Sequence, residues 1–411
     1  MLTYNMELRG SKPLFEYIYL CIRQDILSGK LKASEKLPSK RAMAEANSVS
    51  VITIANAYAQ LLSEGYIYAI EKKGYFVADI SCEHGTAGIP STAAVSETAT
   101  VETTYLADLT SNKISASVFP FSLWSKLTRE VLSTCQKELL SVSPGQGIFE
   151  LRQAIAEHLE SYRGIHASPE QIIVGAGTDY LYSILVQLLG NDLLYAVENP
   201  GYSKIRKVYE SHRAKCIPIN LDEQGISISQ LASSEAAVVH ISPAHHFPTG
   251  LVTPYSRRLA LLQWASQANN RFIIEDDYDS ELRLTGRPIP ALKSIDQSNR
   301  VIYMNTFSKT LSSTIRISYM VLPESLMEAY RKKLSFYSCS VSNLEQYTLA
   351  MFIKRGHFDR HIHRVRKQYR SRRERILNLF NASSLKSISS IEEKDAGFHF
   401  ILRLNTRLTD A

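Results

Sequence analysis

Apolar residues at Leu14, Ile18, Ile22 and Ile26 recur every fourth position and mark one face of a helix, with Gly29 as its stop. A second helix is expected over 39–46, where Ser39 after Pro38 serves as N-cap. A third is expected over 50–65, capped by Ser50, with Ile54, Leu61 and Leu62 facing inward. Two short apolar runs, 66–70 and 75–77, then flank Glu71-Lys72-Lys73-Gly74, which reads as a hairpin with a basic tip. Three helices followed by a hairpin make a winged helix-turn-helix over residues 1–80.

The pattern lapses over 81–104, where Thr, Ala, Ser and Gly replace the apolar positions. Such a run buries too little apolar surface to offset its ordering entropy, so it is read as a flexible tether. Beyond it, helix-length and strand-length apolar segments alternate, the signature of an α/β sheet domain over 105–354. A helix is expected over 151–162, a strand over 172–174, and a helix over 180–189. Further strands are expected at Phe272-Ile273-Ile274 and at Val301-Ile302-Tyr303. A basic helix over 354–375 (ten Lys/Arg, two acids) carries Phe358, Ile362, Val365 and Tyr369 along one face, and its charged side reads either as a DNA contact or as a solvated face. A strand-length apolar run follows at Phe398-His399-Phe400-Ile401-Leu402.

Composition narrows the setting without deciding it. A length of 411 residues implies two or three domains, and 45% apolar content supports a sizeable core. The net charge of +7 is compatible with nucleic-acid contact, although residues 1–80 carry ten Lys/Arg against eight Asp/Glu, only +2. Five dispersed cysteines (Cys21, Cys82, Cys135, Cys216, Cys339), without C-x-x-C spacing, point to free thiols in a reducing cytoplasm and to no zinc site. No leader or bilayer-length apolar run is present, so a soluble cytoplasmic protein is expected.

The chemistry concentrates around Asn305-Thr306-Phe307-Ser308-Lys309-Thr310-Leu311 and Arg316. A buried strand would deliver Lys309 into a loop of hydroxyls. That suits a lysine condensing with an aldehyde cofactor while hydroxyls and a guanidinium hold a phosphate. Gly175-Ala176-Gly177-Thr178-Asp179 is a strand-to-helix turn of the sort that offers backbone N–H groups to a phosphate. Glu275-Asp276-Asp277-Tyr278 ends a strand with acids and a phenol, where α/β sheets bind ligands. One of those carboxylates could pair with a protonated pyridine nitrogen, or the acids could instead be a metal-binding or solvated strand end.

These stretches resemble two families. Lys36-Leu37-Pro38-Ser39-Lys40-Arg41, Val49-Ser50-Val51-Ile52-Thr53-Ile54-Ala55-Asn56-Ala57-Tyr58, Glu64-Gly65-Tyr66 and Lys73-Gly74-Tyr75-Phe76-Val77 resemble the GntR DNA-binding domain. The resemblance implies that Ser39, Arg41, Ser50, Thr53, Lys72 and Lys73 meet double-stranded operator DNA. GntR proteins usually follow the helix-three Ser with Arg, whereas this chain has Val51, which shifts readout toward apolar contact and Arg41.

From about Leu109 onward the chain resembles fold-type I pyridoxal-phosphate enzymes of the aminotransferase class. Together the halves look like a MocR-type regulator, which implies a sensor working as a head-to-tail homodimer with an amino compound as effector. On that resemblance Lys309 would bind pyridoxal 5′-phosphate, Asp276 (favoured over Glu275 or Asp277) the ring nitrogen, and Tyr278 the ring oxygen. Tyr202 would stack on the ring, while Thr178, Thr306, Ser308 and Arg316 would take the phosphate. Phe247 replaces the usual Asn, Asp179 the usual Gln, and Ser318 the usual Gly. These departures weigh against the rival reading, an active aminotransferase with a DNA-binding appendage. The resemblance also implies that the basic helix connects to a small C-terminal α+β domain beginning over 355–411; relatives continue past Ala411 and supply an Arg for amino-acid carboxylates, so that domain is read here as truncated.

Overall fold

The computed structural model describes residues 2–80, 118–284, 290–392 and 399–405. The expected tether at 81–104, and Phe398, lie outside them. Two units are distinguished, Met1–Ala107 and Asp108–Ala411.

In the first unit, α1 (Leu14–Leu27), α2 (Lys40–Ala46) and α3 (Val51–Ser63) precede β1 (Ile67–Ile70) and β2 (Gly74–Val77). The serine caps form as their chemistry dictates. Ser39 Oγ accepts the Ala42 N–H at 3.2 Å and Ser50 Oγ accepts the Thr53 N–H at 3.1 Å, each satisfying one orphan donor of a first turn. Ile18, Ile22 and Ile26 of α1 pack against Met43 and against Ile54, Tyr58 and Leu61 of α3. Leu62 departs from expectation and is 42% exposed. The inward stripe runs 54, 57, 58, 61, and a residue one step further is rotated about 100° off it. The antiparallel wing pairs Ile67 with Val77 and Ile70 with Gly74, so Gly74 belongs to the ladder and Lys72 tops the turn at φ +61°.

The second unit is built on a mixed eight-stranded sheet. Its strands are β3 (Ile172–Gly175), β4 (Leu194–Asn199), β5 (Lys215–Asp222), β6 (Gly225–Ile226), β7 (Val238–Ile241), β8 (Phe272–Asp276), β9 (Val301–Thr306) and β10 (Ser318–Val321). The spatial order is β3-β10-β9-β8-β7-β4-β5-β6. Strands β9, β8, β7, β4 and β5 run parallel, while β10 is antiparallel to both neighbours.

Helices cover both faces, as parallel strands require. In chain order they are α4 (Phe121–Thr134), α5 (Gln136–Leu139), α6 (Phe149–Arg163), α7 (Thr178–Leu189), α8 (Ser203–Ser211), α9 (Ile228–Ser233), α10 (Tyr255–Ser266), α11 (Glu324–Leu334), α12 (Asn343–Lys354) and α13 (His357–Ala382). Leu181 and Leu185 of α7, Tyr209 of α8 and Met327 of α11 pack on one face with Ile274, Ile302 and Met304. Residues of α4, α6, α12 and α13 pack on the other with Tyr303 and Tyr319. Successive strand residues alternate between these faces, and that alternation decides where the acids of β8 point.

The basic helix begins later than expected. Lys354 ends α12, and Gly356 at φ +65° breaks the chain before α13. Phe358, Ile362 and Val365 are buried and Tyr369 packs beside them. Not all of the cations are solvated: Arg366 donates to Glu281 O at 2.6 Å, and Arg370 donates to Leu284 O. The helix leads to an antiparallel pair, β11 (Ser389–Glu392) and β12 (Ile401–Leu404).

Candidate functional site

At the carboxyl ends of the parallel strands lies a cavity of about 210 Å³. All eight residues singled out from the sequence line it: Thr178, Tyr202, Asp276, Tyr278, Thr306, Ser308, Lys309 and Arg316. Thr178 opens α7, Tyr202 caps α8, Asp276 ends β8 and Thr306 ends β9. Ser308, Lys309 and Arg316 occupy the loop from β9 to β10, which is closed by a Phe307 N–H to Ile317 O bond of 2.9 Å.

Three adjacent acids separate by strand parity. Glu275 faces away from the cavity and accepts the Leu292 and Lys293 N–H groups at 2.7 and 2.8 Å. Asp277 pairs with Arg163 at 2.7 Å and accepts the Tyr303 hydroxyl at 2.6 Å. Asp276, in phase with Phe272 and Ile274, reaches the cavity floor. Its Oδ2 accepts the Tyr182 hydroxyl at 2.5 Å and lies 3.5 Å from His240 Nε2, while Oδ1 is buried with no hydrogen-bond partner among the described residues. Burial, and then Asp276 itself, holds the Tyr182 phenol well above its ordinary pKa, so it stays a donor.

Burial lowers the Lys309 pKa, against the opposing pull of Asp279 and Asp276. The Tyr278 phenol is raised, chiefly by burial and then by Asp279. Its hydroxyl lies 3.4 Å from His245 Nδ1, which in turn is 2.7 Å from Asp279 Oδ2. His399 stacks on His245 with centroids 4.1 Å apart, and burial, reinforced by His245, pushes it down to about 4. His245, Asp279 and His399 each bring one ligand atom within 4.8 Å of the others. Phe247 meets Tyr202 and His399 edge-on, at 5.9 and 5.4 Å.

The far end of the cavity is built for an anion. Gly177 precedes α7 at φ +94°, a conformation that favours glycine, and a Cβ there would lie 2.5 Å from Arg316 Nη2 and push the guanidinium aside. Ser318, at the position of the usual Gly, donates to Thr306 Oγ1 at 2.8 Å and helps orient that hydroxyl. Sequence reasoning did not single out Tyr182, Lys204, Ser242 and Ser313, which also line the cavity. Tyr182 was findable, since it stands four residues after Thr178 on the same face of α7.

In the first unit, Arg41, Lys72 and Lys73 are exposed, whereas the hydroxyls of Ser39 and Ser50 cap helices and Thr53 Oγ1 sits 2.8 Å from Ser50 Oγ. The start of α2 lies beside the wing: Leu37 N–H donates to Tyr75 O at 2.9 Å, and Lys40 stands over the Tyr75 ring. Val51, which stands where the usual Arg would, and Ile52 are 45% and 72% exposed at the start of α3 and present an apolar surface there.

Residues 14–77 match the family of bacterial regulatory proteins, gntR family, and residues 108–408 match aminotransferase class I and II. Over 414 residues the chain is 33% identical to the probable rhizopine catabolism regulatory protein MocR of Rhizobium meliloti, covering 97% of this chain and 83% of that one. The chain belongs to the MocR-type branch of the GntR regulators. Another member of that branch, the uncharacterized regulator YdeL of Bacillus subtilis, is 40% identical over 365 residues, 89% of this chain and 78% of its own. Among solved structures, kynurenine aminotransferase of Pyrococcus horikoshii, in complex with PMP, superposes with a TM-score of 0.62 at 24% identity over 70% of this chain and 73% of that one, a likeness of fold. Aminotransferase-class homologues of this MocR-type regulator use pyridoxal phosphate. Among its described residues no helix is long and apolar enough to cross a membrane.

Proposed function

We propose that the chain is a cytoplasmic transcriptional regulator whose aminotransferase-like domain binds pyridoxal 5′-phosphate and an amino compound and reports both to operator DNA. The observation that carries the reading is the unpartnered, buried Oδ1 of Asp276 in the cavity that Lys309 lines. A buried acceptor without a donor is costly, and a pyridinium N–H supplies that donor. When bound, pyridoxal phosphate supplies an aldehyde that captures amines and a ring that withdraws electrons.

The chain's own residues do the rest. Tyr182 and His240 engage Asp276 through Oδ2, which on this reading leaves Oδ1 for the ring nitrogen. Burial favours the neutral, nucleophilic amine of Lys309. Tyr278 would donate to the ring oxygen, Tyr202 would cover the ring face, and Thr178, Thr306, Ser308 and Arg316 would hold the phosphate. Phe247 brings a ring edge where an amide donor would assist turnover, which favours sensing over catalysis.

Ser39, Arg41, Ser50, Thr53, Lys72 and Lys73 form the DNA-facing set, with exposed cations for phosphates and Ile52 for a thymine methyl. On this reading the regulator works as a head-to-tail homodimer. Effector binding then shifts operator affinity through a change in domain arrangement.

The test is an absorbance spectrum of the purified chain with pyridoxal phosphate and a panel of amines, with and without operator DNA. A bound-cofactor band absent from Lys309→Ala, and altered by a particular amine together with DNA affinity, is expected. An unchanged spectrum in both proteins would end the sensor account.

A further inference from the structure

Asp179 places a carboxylate between two cations of the cavity lining. Its Oδ2 accepts from Lys204 Nζ at 2.5 Å and pairs with Arg316 Nη2 at 3.3 Å. All three residues line the cavity, with side chains 31%, 45% and 52% exposed for Asp179, Lys204 and Arg316. Lys204 is the second residue of α8, so the turn that presents Tyr202 also presents this cation. Arg316 is held on its other side by Ala176 O at 3.4 Å, in the space Gly177 leaves.

Two cations sharing one carboxylate oxygen is the geometry of an anion site filled by the chain's own acid. A phosphate dianion offers three acceptor oxygens to the same two donors and carries twice the charge. We propose that Lys204 is a phosphate-binding residue of this cavity and that Asp179 is its built-in competitor, giving up Lys204 and Arg316 when the cofactor's phosphate enters. The inference rests on the reading that the cavity takes pyridoxal phosphate. It adds that cofactor affinity is deliberately moderate, so occupancy follows the supply of the phosphorylated aldehyde.

The experiment titrates the full chain with pyridoxal phosphate and with pyridoxal, which lacks the phosphate, and reads both dissociation constants from absorbance. Because the groups are about half exposed, each substitution is expected to act by about five-fold. Lys204→Met weakens pyridoxal phosphate and leaves pyridoxal unchanged, and Lys204→Arg restores most of the loss. Asp179→Asn tightens pyridoxal phosphate and again spares pyridoxal. Added salt weakens the phosphorylated form in the unsubstituted chain more than in Lys204→Met. An urea midpoint unchanged by each substitution excludes misfolding as the cause. If Lys204→Met keeps the ratio of the two constants, or Asp179→Asn weakens the phosphorylated form, the inference falls while the cofactor reading stands. If the unsubstituted chain takes up neither compound, the cofactor reading fails and this inference with it.

Discussion

Replacing Asp277 with asparagine tests the parity argument on which the whole site depends. Asp277 and Arg163 stand 2.7 Å apart with each side chain 1% exposed, so the substitution takes a buried negative charge away from a buried guanidinium. Removing one partner of a buried pair typically costs about 3–5 kcal/mol. Asparagine still accepts from the Tyr303 hydroxyl, which favours the lower end, about 3 kcal/mol. At about 2–4 °C per kcal/mol for a domain of this size, Tm falls by about 6–12 °C. Both tryptophans, Trp124 and Trp264, lie in the second unit, so urea unfolding followed by tryptophan fluorescence reports that unit alone. Asp276→Asn keeps an acceptor for Tyr182 and is expected to cost only about 1 kcal/mol, while weakening pyridoxal phosphate about ten-fold or more through the lost charge-assisted bond. A loss below about 1 kcal/mol for Asp277→Asn, or equal losses for the two variants, would refute the assignment of structural and cofactor roles to neighbouring acids.

Other consequences follow from the same geometry. Capture of the aldehyde by Lys309 needs the neutral amine, so borohydride trapping read by mass spectrometry should rise with pH; Asp279→Asn removes a carboxylate that raises the lysine, moving the midpoint to lower pH. His246 and His399 are both held near 4 by burial, below the ordinary 6.5. The unfolded chain therefore binds protons first, and their contribution to stability is present above about pH 6.5 and lost as pH falls toward 4; His399→Gln should flatten that slope in urea midpoints. Gly177→Ala puts a methyl 2.5 Å from Arg316 Nη2, and should abolish discrimination between pyridoxal phosphate and pyridoxal. Ser50→Ala removes the cap of α3, costing about 1 kcal/mol in hydrogen-exchange protection of that helix and reducing operator affinity in a mobility-shift assay.

The sequence made the cavity legible because its residues stand at element ends, where apolar runs give way to polar motifs. Lys309, Asp276 and Thr178 each follow a recognisable strand, and the sheet gathers those ends together. Parity within β8 also separates Asp276 from its neighbours, since Phe272 and Ile274 declare the face. What escaped was long-range: Lys204 and Ser313 acquire their meaning from partners across the cavity, and no local pattern marks them. Leu62 was misplaced because an apolar residue next to a helix stripe is rotated out of it, and α13 because Gly356 outweighs the continuity of charge. The inward roles of Arg366 and Arg370 depend on carbonyls about eighty positions away in the chain.

The short span from Phe307 to Ile317 is tied at its two ends, and it carries the amine and the guanidinium together. Whatever tugs on one is felt by the other, as with two knots on a single taut cord. On the proposed reading, a ligand held by Lys309 and by Arg316 would pull on this one segment at both places, so that a change at the amine would reach the anion end through the same eleven residues.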